Sequence, residues 1–351
     1  MQPDVAIIGG GPAGCAAALA LRSRGHSVIV IAPQSQREKP TETAVPTLAR
    51  LLRSLGAAEA LNACEPCHGI VSAWGRNTPA IQPALLNPSG HAWFIHRARF
   101  DSCLQTTARE SGAIWMNEEA QSVNFDTHGA SIATTGQPVR ARWVAFATGS
   151  PAWPARVTQQ TPSKMDSLIA FWARLQSQLS ERLLFVEPAE RGWWYLCPAD
   201  GPGAIACFVT DPLSARSLSP SQPPAWNQLF QATRLSQQLQ GDPHVEQIHV
   251  ALTGLSALPE KHGTNWIAVG DAAAKLDPLG SSGTATALDS AQCAANAIAD
   301  ALQGHTASLD EYSCWSAGLV AEFARQRRQQ YGYEARRRDN HFWSCRILAA
   351  A

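Results

Sequence analysis

The sequence DVAIIGGGPAG, residues 4–14, decides the fold. It begins with a short run of branched residues that ends in glycine, which is typical of a buried parallel strand. Residues 9–14 then satisfy the spacing G-x-G-x-x-G, and small helix-forming residues follow. A strand, a glycine turn and a helix in this order predict a Rossmann-type dinucleotide-binding unit.

Each glycine of this turn has its own physical role. We expect Gly9 to allow the tight turn, Gly11 to let the backbone approach a pyrophosphate, and Gly14 to let helix and strand pack closely. Pro12 and Ala13 begin the helix, whose free N–H groups and dipole favour phosphate. A glycine-rich turn without a ligand is the alternative, but the flanking strand and helix favour a dinucleotide site.

The second predicted strand, HSVIVIA (26–32), completes a βαβ unit but lacks one expected residue. In such units an acidic side chain ends this strand and binds the adenosine ribose. Here the corresponding residues are Ala32, Pro33 and Gln34. Each missing charge-assisted hydrogen bond costs about 1.5–3 kcal/mol, and Gln34 or Ser35 offers only a weaker replacement. We therefore expect a loosely bound, partly dissociable dinucleotide.

Two later segments distinguish FAD from NAD. FATGS (146–150) and AVGDAAAKLDPLGSSGTATAL (268–288) together resemble the second and third signatures of the class A flavoprotein monooxygenases. The resemblance implies that Asp271, which follows Gly270, binds the ribityl chain of FAD. The chain has no second G-x-G-x-x-G motif for a nicotinamide dinucleotide. The resemblance therefore implies reduction by transiently bound NAD(P)H or by an external reductase, with O2 as co-substrate.

Other residues of the cofactor site follow from the same resemblance. The loop DPLGSSG (277–283) resembles the family's loop that leads into a helix whose N-terminus faces the flavin pyrimidine. Free N–H groups at such a helix start stabilise the negative charge of a reduced flavin. From this loop the resemblance assigns Pro278, Ser282 and Gly283. The segment FIHRARFDSCL (94–104) resembles the family's R-x-x-L-x-x-x-L segment, which implies that Arg97 lies near the cofactor, with Arg99 as the alternative. For either arginine alone, a surface ion pair is the other interpretation.

The remaining patterns predict an α/β fold class. We expect a Rossmann-like FAD-binding domain of the class A flavoprotein monooxygenase type, an antiparallel β-sheet substrate domain and a C-terminal helical tail. Three apolar segments between residues 182 and 211 predict an antiparallel meander, and SLSPSQPPAW (217–226) is typical of a linker. The predicted boundaries are 1–70, 96–160 and 255–303 for the discontinuous FAD-binding domain, 71–95 and 161–254 for the substrate domain, and 304–351 for the helical segment.

The composition limits the classes of function. The 351 residues carry a formal net charge of +0, with 45% hydrophobic and 16% charged residues. This is typical of a folded globular protein without an overall field that would attract nucleic acid or an anionic membrane. We therefore expect no nucleic-acid partner and no membrane partner. No basic export-type segment is visible at the N-terminus, which predicts a cytoplasmic protein with reduced cysteines.

One cysteine spacing resembles a cofactor motif. CEPCH (64–68) matches the C-x-x-C-H pattern of covalent haem attachment. We interpret it as a loop with coincidental cysteines; haem attachment and a redox C-x-x-C pair are the alternatives. No metal site is predicted.

The segment RGWWYLCPAD (191–200) bears on the substrate. Flavin-dependent tryptophan halogenases carry W-x-W-x-I-P together with an essential lysine, but here Tyr195 and Cys197 replace the second tryptophan and the isoleucine. The region where that lysine would fall contains none, because no lysine occurs between Lys39 and Lys164. We therefore expect that the protein is not a halogenase.

The same segment offers a substrate pocket. Trp193 and Tyr195 alternate onto one face of the predicted strand, where apolar aromatic walls would exclude water from an oxygen-transfer reaction. Packing in the core of the second lobe is the alternative for each residue. No side chain stands out as a general base, so no catalytic residue is assigned.

A wider set of segments resembles the LodB and GoxB group. These are halogenase-like FAD monooxygenases that mature cysteine tryptophylquinone in lysine and glycine oxidases. The matching segments are TETAVPTLARLLRSLG (41–56), VSAWG (71–75), HRARFD (96–101), GWWYLCP (192–198), DPLGSSG (277–283) and RQQYGYEARRRDNHFW (328–343). The resemblance implies hydroxylation of a tryptophan side chain in the precursor of a quinone-cofactor amino-acid oxidase. The alternatives are hydroxylation of a free small aromatic substrate and a non-catalytic flavin-fold chaperone for that precursor.

A protein substrate would need a docking surface, and the basic tail is one candidate. Its arginines are Arg325, Arg327, Arg328, Arg336, Arg337 and Arg338. These side chains could meet acidic patches of a partner. A solvated helix face is the alternative.

Overall fold

A computed structural model describes residues 2–34, 38–241 and 243–347. Ser35, one of the two predicted replacements for the ribose-binding acid, lies outside these ranges, as do residues 348–351 of the predicted tail. Gln34 is exposed after the second strand. The described residues form one six-stranded sheet, one seven-stranded sheet and three small sheets, with helices packed around them.

The six-stranded sheet forms around the opening sequence. In spatial order its strands are β20 (His262–Gly263), β21 (Trp266–Ala268), β12 (Trp143–Phe146), β1 (Val5–Ile8), β2 (Val28–Ile31) and β8 (Ile114–Met116). All neighbours are parallel except β20 and β21. Every residue of β1, β2 and β12 is buried, as expected for parallel strands covered on both faces. The predicted Rossmann-like architecture is confirmed.

Helices pack against both large sheets. The described residues form the helices α1 (Pro12–Arg22), α2 (Leu48–Ser54), α3 (Arg97–Glu110), α4 (Ala152–Val157), α5 (Pro212–Leu218), α6 (Pro223–Gln231), α7 (Gly283–Leu302), α8 (Ala307–Gly332) and α9 (His341–Ile347). The alanine-rich helices α1 and α7 share one hydrophobic core with β1 and β2. Their small side chains allow close approach, which places the starts of both helices at the same edge of the sheet.

The seven-stranded sheet contains the predicted meander. In spatial order its strands are β18 (His249–Thr253), β14 (Leu168–Leu175), β17 (Ala204–Thr210), β16 (Gly192–Pro198), β15 (Leu183–Ala189), β5 (Gly69–Ser72) and β6 (Ala80–Pro83). The consecutive strands β15, β16 and β17 pair antiparallel, as predicted. β5 crosses the predicted domain boundary at residue 70, and the proposed division into domains stays a prediction.

Three small sheets accompany the two large ones. The first contains β3 (Thr41–Ala44), β7 (Ala92–His96) and β4 (Cys64–Cys67); the second contains β11 (Val139–Ala141), β10 (Gly129–Thr134) and β9 (Ala120–Asp126); the third contains β13 (Ser163–Lys164), β19 (Ser256–Ala257) and β22 (Ala274–Lys275). Every pair in them is antiparallel. The third sheet leads from β22 directly into the loop before α7.

The predicted linker at 217–226 is wrong. α6 begins at Pro223, and Trp226 is fully buried against the seven-stranded sheet, with its ring 5.1 Å from that of Trp194. Proline suits the first turn of a helix because the N–H that it lacks would have no helical partner there. The proline-rich composition therefore marked a helix start.

The arginines of the C-terminal segment differ in their exposure. Arg327 is buried, so the hypothesis of a shared docking face is wrong for this residue. Arg336 and Arg337 both pair with the fully buried carboxylate of Glu334. Arg325 pairs with Glu322 on the surface; Arg328 and Arg338 are exposed.

The C-x-x-C-H segment is a strand and not the loop that we expected. Residues 64–67 form β4, which pairs with β7. Burial raises the pKa of the Cys64 thiol to about 12 and also raises the pKa of Cys67, which disfavours the thiolates that redox or metal chemistry needs. All nine cysteines lie in the described ranges and are free thiols. No helix within those ranges combines the length and apolar character needed to cross a lipid bilayer.

Candidate functional site

The ends of three neighbouring parallel strands bring the predicted motifs together. β1 runs into the glycine turn at residues 9–14, β12 runs into residues 147–149, and β21 runs into residues 270–271. The spatial order β21-β12-β1 makes these loops neighbours at one edge of the sheet. Ligands of open α/β sheets bind at this edge, outside the carboxyl ends of the strands.

The three motif glycines of the turn differ in their surroundings. A Cβ on Gly9 would lie 2.2 Å from Ala147 O, and one on Gly14 would lie 1.9 Å from Gly9 O. Gly9 also has a φ of +117, which favours glycine. A Cβ on Gly11 would have no described atom within 4 Å. Gly9 and Gly14 therefore pack turn, strand and helix together, whereas Gly11 leaves open space beside the backbone.

A cavity of about 330 Å³, here called the glycine cavity, lies against this turn. It is lined by residues 9–13, Glu42, Arg97, residues 147–149, Asp271, Gly283, Thr284 and Ala287. The structure thus brings Gly9, Gly11, Pro12, Ala13, Arg97, Asp271 and Gly283 together. Gly14 and Gly270 are buried and do not line the cavity; an added Cβ would lie 1.9 Å from Gly9 O at Gly14 and 2.8 Å from the Ala13 Cβ at Gly270.

Arg97 lies in the wall of the glycine cavity, but two carboxylates hold it. Its Nη1 donates to Glu42 Oε1 at 2.6 Å, and its Nε donates to Asp101 Oδ1 at 3.1 Å. Burial alone would lower the pKa of Arg97, but Glu42 and Asp101 raise it above its ordinary value. The residue therefore lines the cavity and forms ion pairs at once. Arg99, the alternative, is half exposed and pairs with Asp200.

A second cavity of about 330 Å³, here called the aromatic cavity, adjoins the first. It is lined by Pro40, Glu42, Thr43, Ala170, Trp172, Leu184, Val186, Trp193, Tyr195, Cys207, Val209, residues 251–253, Asp271, residues 275–279 and residues 281–284. One face of the seven-stranded sheet supplies the aromatic residues of this wall. Trp193 and Tyr195 lie on that face, whereas Trp194 packs on the opposite face, stacked on Phe208 at 4.9 Å.

The two cavities meet at the start of α7. Glu42, Asp271, Gly283 and Thr284 line both of them. The first N–H groups of α7 have no partner within the helix and carry its positive dipole end. Ser282, the residue before α7, has a buried Oγ without a hydrogen-bond partner among the described residues, and a Cβ on Gly283 would meet no described atom within 4 Å.

These features fit the FAD that the motifs imply. Gly11 and Gly283 leave open space on the two sides of the glycine cavity, where a Cβ would intrude. The Ser282 hydroxyl is a buried polar group, and such groups are normally hydrogen-bonded. Asp271 lines both the glycine cavity and the aromatic cavity. The two adjoining cavities therefore offer free space, an unsatisfied hydroxyl and an acceptor carboxylate.

Asp271 is the most perturbed carboxyl group at this junction. Burial raises its pKa from 3.8 to about 6; Lys275 partly offsets this effect and Glu42 adds to it. A carboxylate held in this way gains most from a ligand that donates hydrogen bonds to it, such as a polyol chain.

We expect Asp271→Asn to stabilise the ligand-free protein at neutral pH. Near pH 7 the native state buries a charge that the unfolded chain keeps in water. Below the unfolded pKa of 3.8 both states are protonated, and no stability is lost. As the pH rises through the folded pKa of about 6, stability falls by up to about 3 kcal/mol, which asparagine would avoid. Urea unfolding near pH 4 and near pH 7.5 measures this difference; an equal gain at both pH values would contradict the assignment.

A hydrogen-bonded chain joins the aromatic cavity to the C-terminal helices. Trp193 Nε1 donates to the Tyr331 hydroxyl at 3.1 Å, and that hydroxyl donates to Asp277 Oδ2 at 3.2 Å. Asp277 also accepts from Arg327 Nε at 2.6 Å. Arg327 in turn pairs with Asp166. Residues of α8 therefore hold the loop before α7 through Asp277.

The sequence analysis did not identify three residues that line or support these cavities. Glu42 and Tyr331 lie inside segments that carried the LodB and GoxB resemblance, but nothing in their own spacing distinguished them. Lys275 lines the aromatic cavity, and its Nζ donates to Leu252 O at 2.6 Å. The aromatic cavity thus has a lysine, although the part of the sequence where a halogenase lysine would fall has none. The sequence signal that could have indicated Lys275 was its position, two residues before the first residue of the DPLGSSG loop.

Comparisons with known proteins agree with this geometry. A family model described as FAD binding domain matches residues 2–325. LodB of Marinomonas mediterranea, described as an FAD-dependent oxidoreductase, is 24% identical over 371 residues, which cover 99% of this chain and 98% of LodB.

Two solved structures show the same fold. QhpG, named a peptidyl tryptophan dihydroxylase essential for tryptophylquinone cofactor biogenesis, has a TM-score of 0.82 and 22% identity, covering 99% of this chain and 79% of QhpG. The flavin-dependent halogenase CmlS has a TM-score of 0.86 and 22% identity, covering 99% of this chain and 68% of CmlS.

Proposed function

The chain belongs to the FAD binding domain family, and from this premise we propose that it hydroxylates a tryptophan side chain of a precursor protein during tryptophylquinone biogenesis. It is a flavin-dependent monooxygenase of the halogenase-like group that includes LodB, and its cofactor is FAD. The substrate, the protein partner and the residue roles below are parts of the proposal.

The observation that carries the proposal is the junction of the two cavities. A dinucleotide in the glycine cavity would have its reactive end beside Asp271 and Gly283, which also line the aromatic cavity. The aromatic cavity, at about 330 Å³, lies in the range of small-ligand pockets and suits a single aromatic side chain. Trp172, Trp193 and Tyr195 give it a largely apolar wall.

FAD, when bound, would supply the redox chemistry, namely acceptance of a hydride and activation of O2. The residues of the chain would support oxygen transfer in three ways. The aromatic wall excludes water, which would otherwise divert the oxidising equivalents to H2O2. The free N–H groups at the start of α7 stabilise negative charge beside Gly283. The Lys275 ammonium holds Leu252 at the edge of the cavity and orients that rim.

Support for a protein-bound substrate comes from relatives and not from a docking surface. LodB matches the chain over nearly its whole length, and QhpG, which is named for peptidyl tryptophan dihydroxylation, shares the fold over 99% of it. The indole ring is electron-rich, so oxygen transfer to it from a flavin system needs no metal. We propose the precursor of a quinone-cofactor amino-acid oxidase as the partner.

Co-expression with such a precursor tests the proposal. We expect the precursor to gain oxygen at tryptophan, as measured by mass spectrometry of its peptides, when the complete chain is present. Precursor expressed alone is the first control. Asp271→Ala is the second, because a monooxygenase should lose the modification with its flavin whereas a chaperone should still support maturation. Unmodified tryptophan in the presence of the FAD-loaded chain would contradict the proposal.

Free indoles distinguish the remaining alternative. If the substrate is a free small aromatic, reduced-flavin turnover will hydroxylate indoles and leave the precursor unchanged. Under our proposal free indoles react poorly, because they lack the peptide that would hold the ring in place. Product analysis of both reactions on the same protein preparation decides between them.

A further inference from the structure

We infer that Tyr331 is a positioning residue: its hydroxyl fixes the aromatic wall relative to the loop before α7, so that the C-terminal helices complete the active site. The inference rests on the proposed location of the flavin beside α7. It gives a role to Tyr331, to which the sequence motifs assigned none.

Tyr331 connects two sides of the site through one atom. Its hydroxyl accepts from Trp193 Nε1, in the wall of the aromatic cavity, at 3.1 Å. The same hydroxyl donates to Asp277 Oδ2, at the start of the loop before α7, at 3.2 Å. A phenol can donate one hydrogen bond and accept others, so both contacts form together. Tyr331, Trp193 and Asp277 are all nearly inaccessible to solvent, which removes water as a substitute partner.

Asp277 passes this constraint to the loop backbone. Its Oδ1 accepts from Leu279 N at 2.9 Å and thereby caps the short turn Pro278–Gly280. Its Oδ2 is held by Arg327 as well as by Tyr331. The turn leads directly to the unpartnered Ser282 hydroxyl and to the first residue of α7. A displacement of Asp277 would therefore move the groups proposed to face the flavin.

The hydroxyl of Tyr331 is not needed for packing. Its ring already contacts Trp74 at 5.7 Å and Trp343 at 5.9 Å between centroids, and the Arg327 guanidinium lies 4.7 Å from its centre. Phenylalanine would keep all these contacts. A buried hydroxyl costs free energy unless it is hydrogen-bonded, and burial raises the pKa of Tyr331 well above its ordinary value, so that the proton stays available for donation. The hydroxyl therefore serves the two hydrogen bonds.

Tyr331 lies beyond the last residue matched by the FAD-binding-domain model. The family model ends at residue 325, whereas Tyr331 lies near the end of α8 and is packed against α9. The segment after residue 325 thus contributes Tyr331 to the support of the aromatic cavity.

Tyr331→Phe tests the role, with Tyr333→Phe as the matched control. Tyr333 lies two residues after Tyr331, directly after the end of α8. It is half exposed, and its hydroxyl accepts only from Gln329 Nε2, at 3.0 Å, among the contacts of the described residues. We expect Y331F to change the visible absorption spectrum of bound FAD, to weaken FAD binding about fivefold or more, and to raise the fraction of consumed reductant that appears as H2O2. Y333F should match the wild type in all three measurements.

An unchanged flavin spectrum, FAD affinity and H2O2 fraction in Y331F would overturn the inference, even if its stability fell. If Y331F does not fold, W193F tests the same link from the cavity side, and a spectrum identical to the wild type would overturn the inference. In the Y331F/W193F double variant we expect less than the sum of the two changes in FAD binding, whereas simple addition would count against the link. If the wild type binds FAD but leaves precursor tryptophan unmodified, the proposed function fails while these comparisons still decide the role of Tyr331.

Discussion

Gly11→Ala is expected to abolish practical FAD binding and to leave the fold intact. Gly11 has a φ of −82 as the N-cap of α1, a conformation that alanine adopts without strain, and its added Cβ would meet no described atom within 4 Å. That Cβ would instead project into the glycine cavity, where the backbone has to approach a pyrophosphate. We expect affinity to fall by at least about a hundredfold, or about 2.7 kcal/mol. Fluorescence titration with FAD measures it.

Gly14→Ala provides the contrast that makes this result specific. In a helix interior, alanine is normally more stable than glycine by about 1 kcal/mol. Here the Cβ would lie 1.9 Å from Gly9 O, so strand and helix would have to separate. We therefore expect G14A to unfold at much lower urea concentration than the wild type, whereas ligand-free G11A should unfold close to it. Tight FAD binding by G11A, or a stable G14A, would contradict the assigned roles of these glycines.

Local sequence patterns predicted the sheet edge well. The residues around the glycine cavity follow parallel strands. Hydrophobic runs and turn residues indicate each of these strands within a few positions of the sequence. The alternation of Trp193 and Tyr195 also follows from strand geometry alone, because a strand sends successive side chains to opposite faces. The alternation does not indicate which residues form the opposite wall of the aromatic cavity.

Long-range polar contacts were beyond the sequence reasoning. Trp193 and Tyr331 are 138 residues apart, and Asp166 and Arg346 are 180 residues apart. Neither pair belongs to a periodic pattern, so the sequence alone does not indicate either contact. For the same reason, a run of arginines in a predicted helix looks the same in the sequence whether its side chains are solvated or buried. Composition was misleading in a similar way at Pro223, where prolines that are typical of linkers begin a helix.

The second large effect is expected for Asp277→Ala, which removes the central acceptor of the buried network. The Asp277 side chain is 0% exposed and accepts from Leu279 N, Arg327 Nε and the Tyr331 hydroxyl. Alanine would leave a buried guanidinium with Asp166 as its remaining ion-pair partner and two further donors without an acceptor. Breaking a buried ion pair from one side typically costs about 3–5 kcal/mol. We expect a loss of this size in urea unfolding of the FAD-free protein at neutral pH.

Two variants separate burial from charge in this experiment. Asp277→Asn keeps an oxygen for Leu279 N but loses the charge, so its stability should lie between those of the wild type and the alanine variant. Glu322→Ala is the control: it removes the partner of Arg325, which lies on the same helix as Arg327. The side chains of Glu322 and Arg325 are at least half exposed, so this change should alter stability little. If Asp277→Ala lost no more stability than Glu322→Ala, the C-terminal helices could not be anchored through the loop before α7. Since the large loss is expected only where three donors converge on one buried carboxylate, the comparison measures how firmly the tail is joined to the flavin fold.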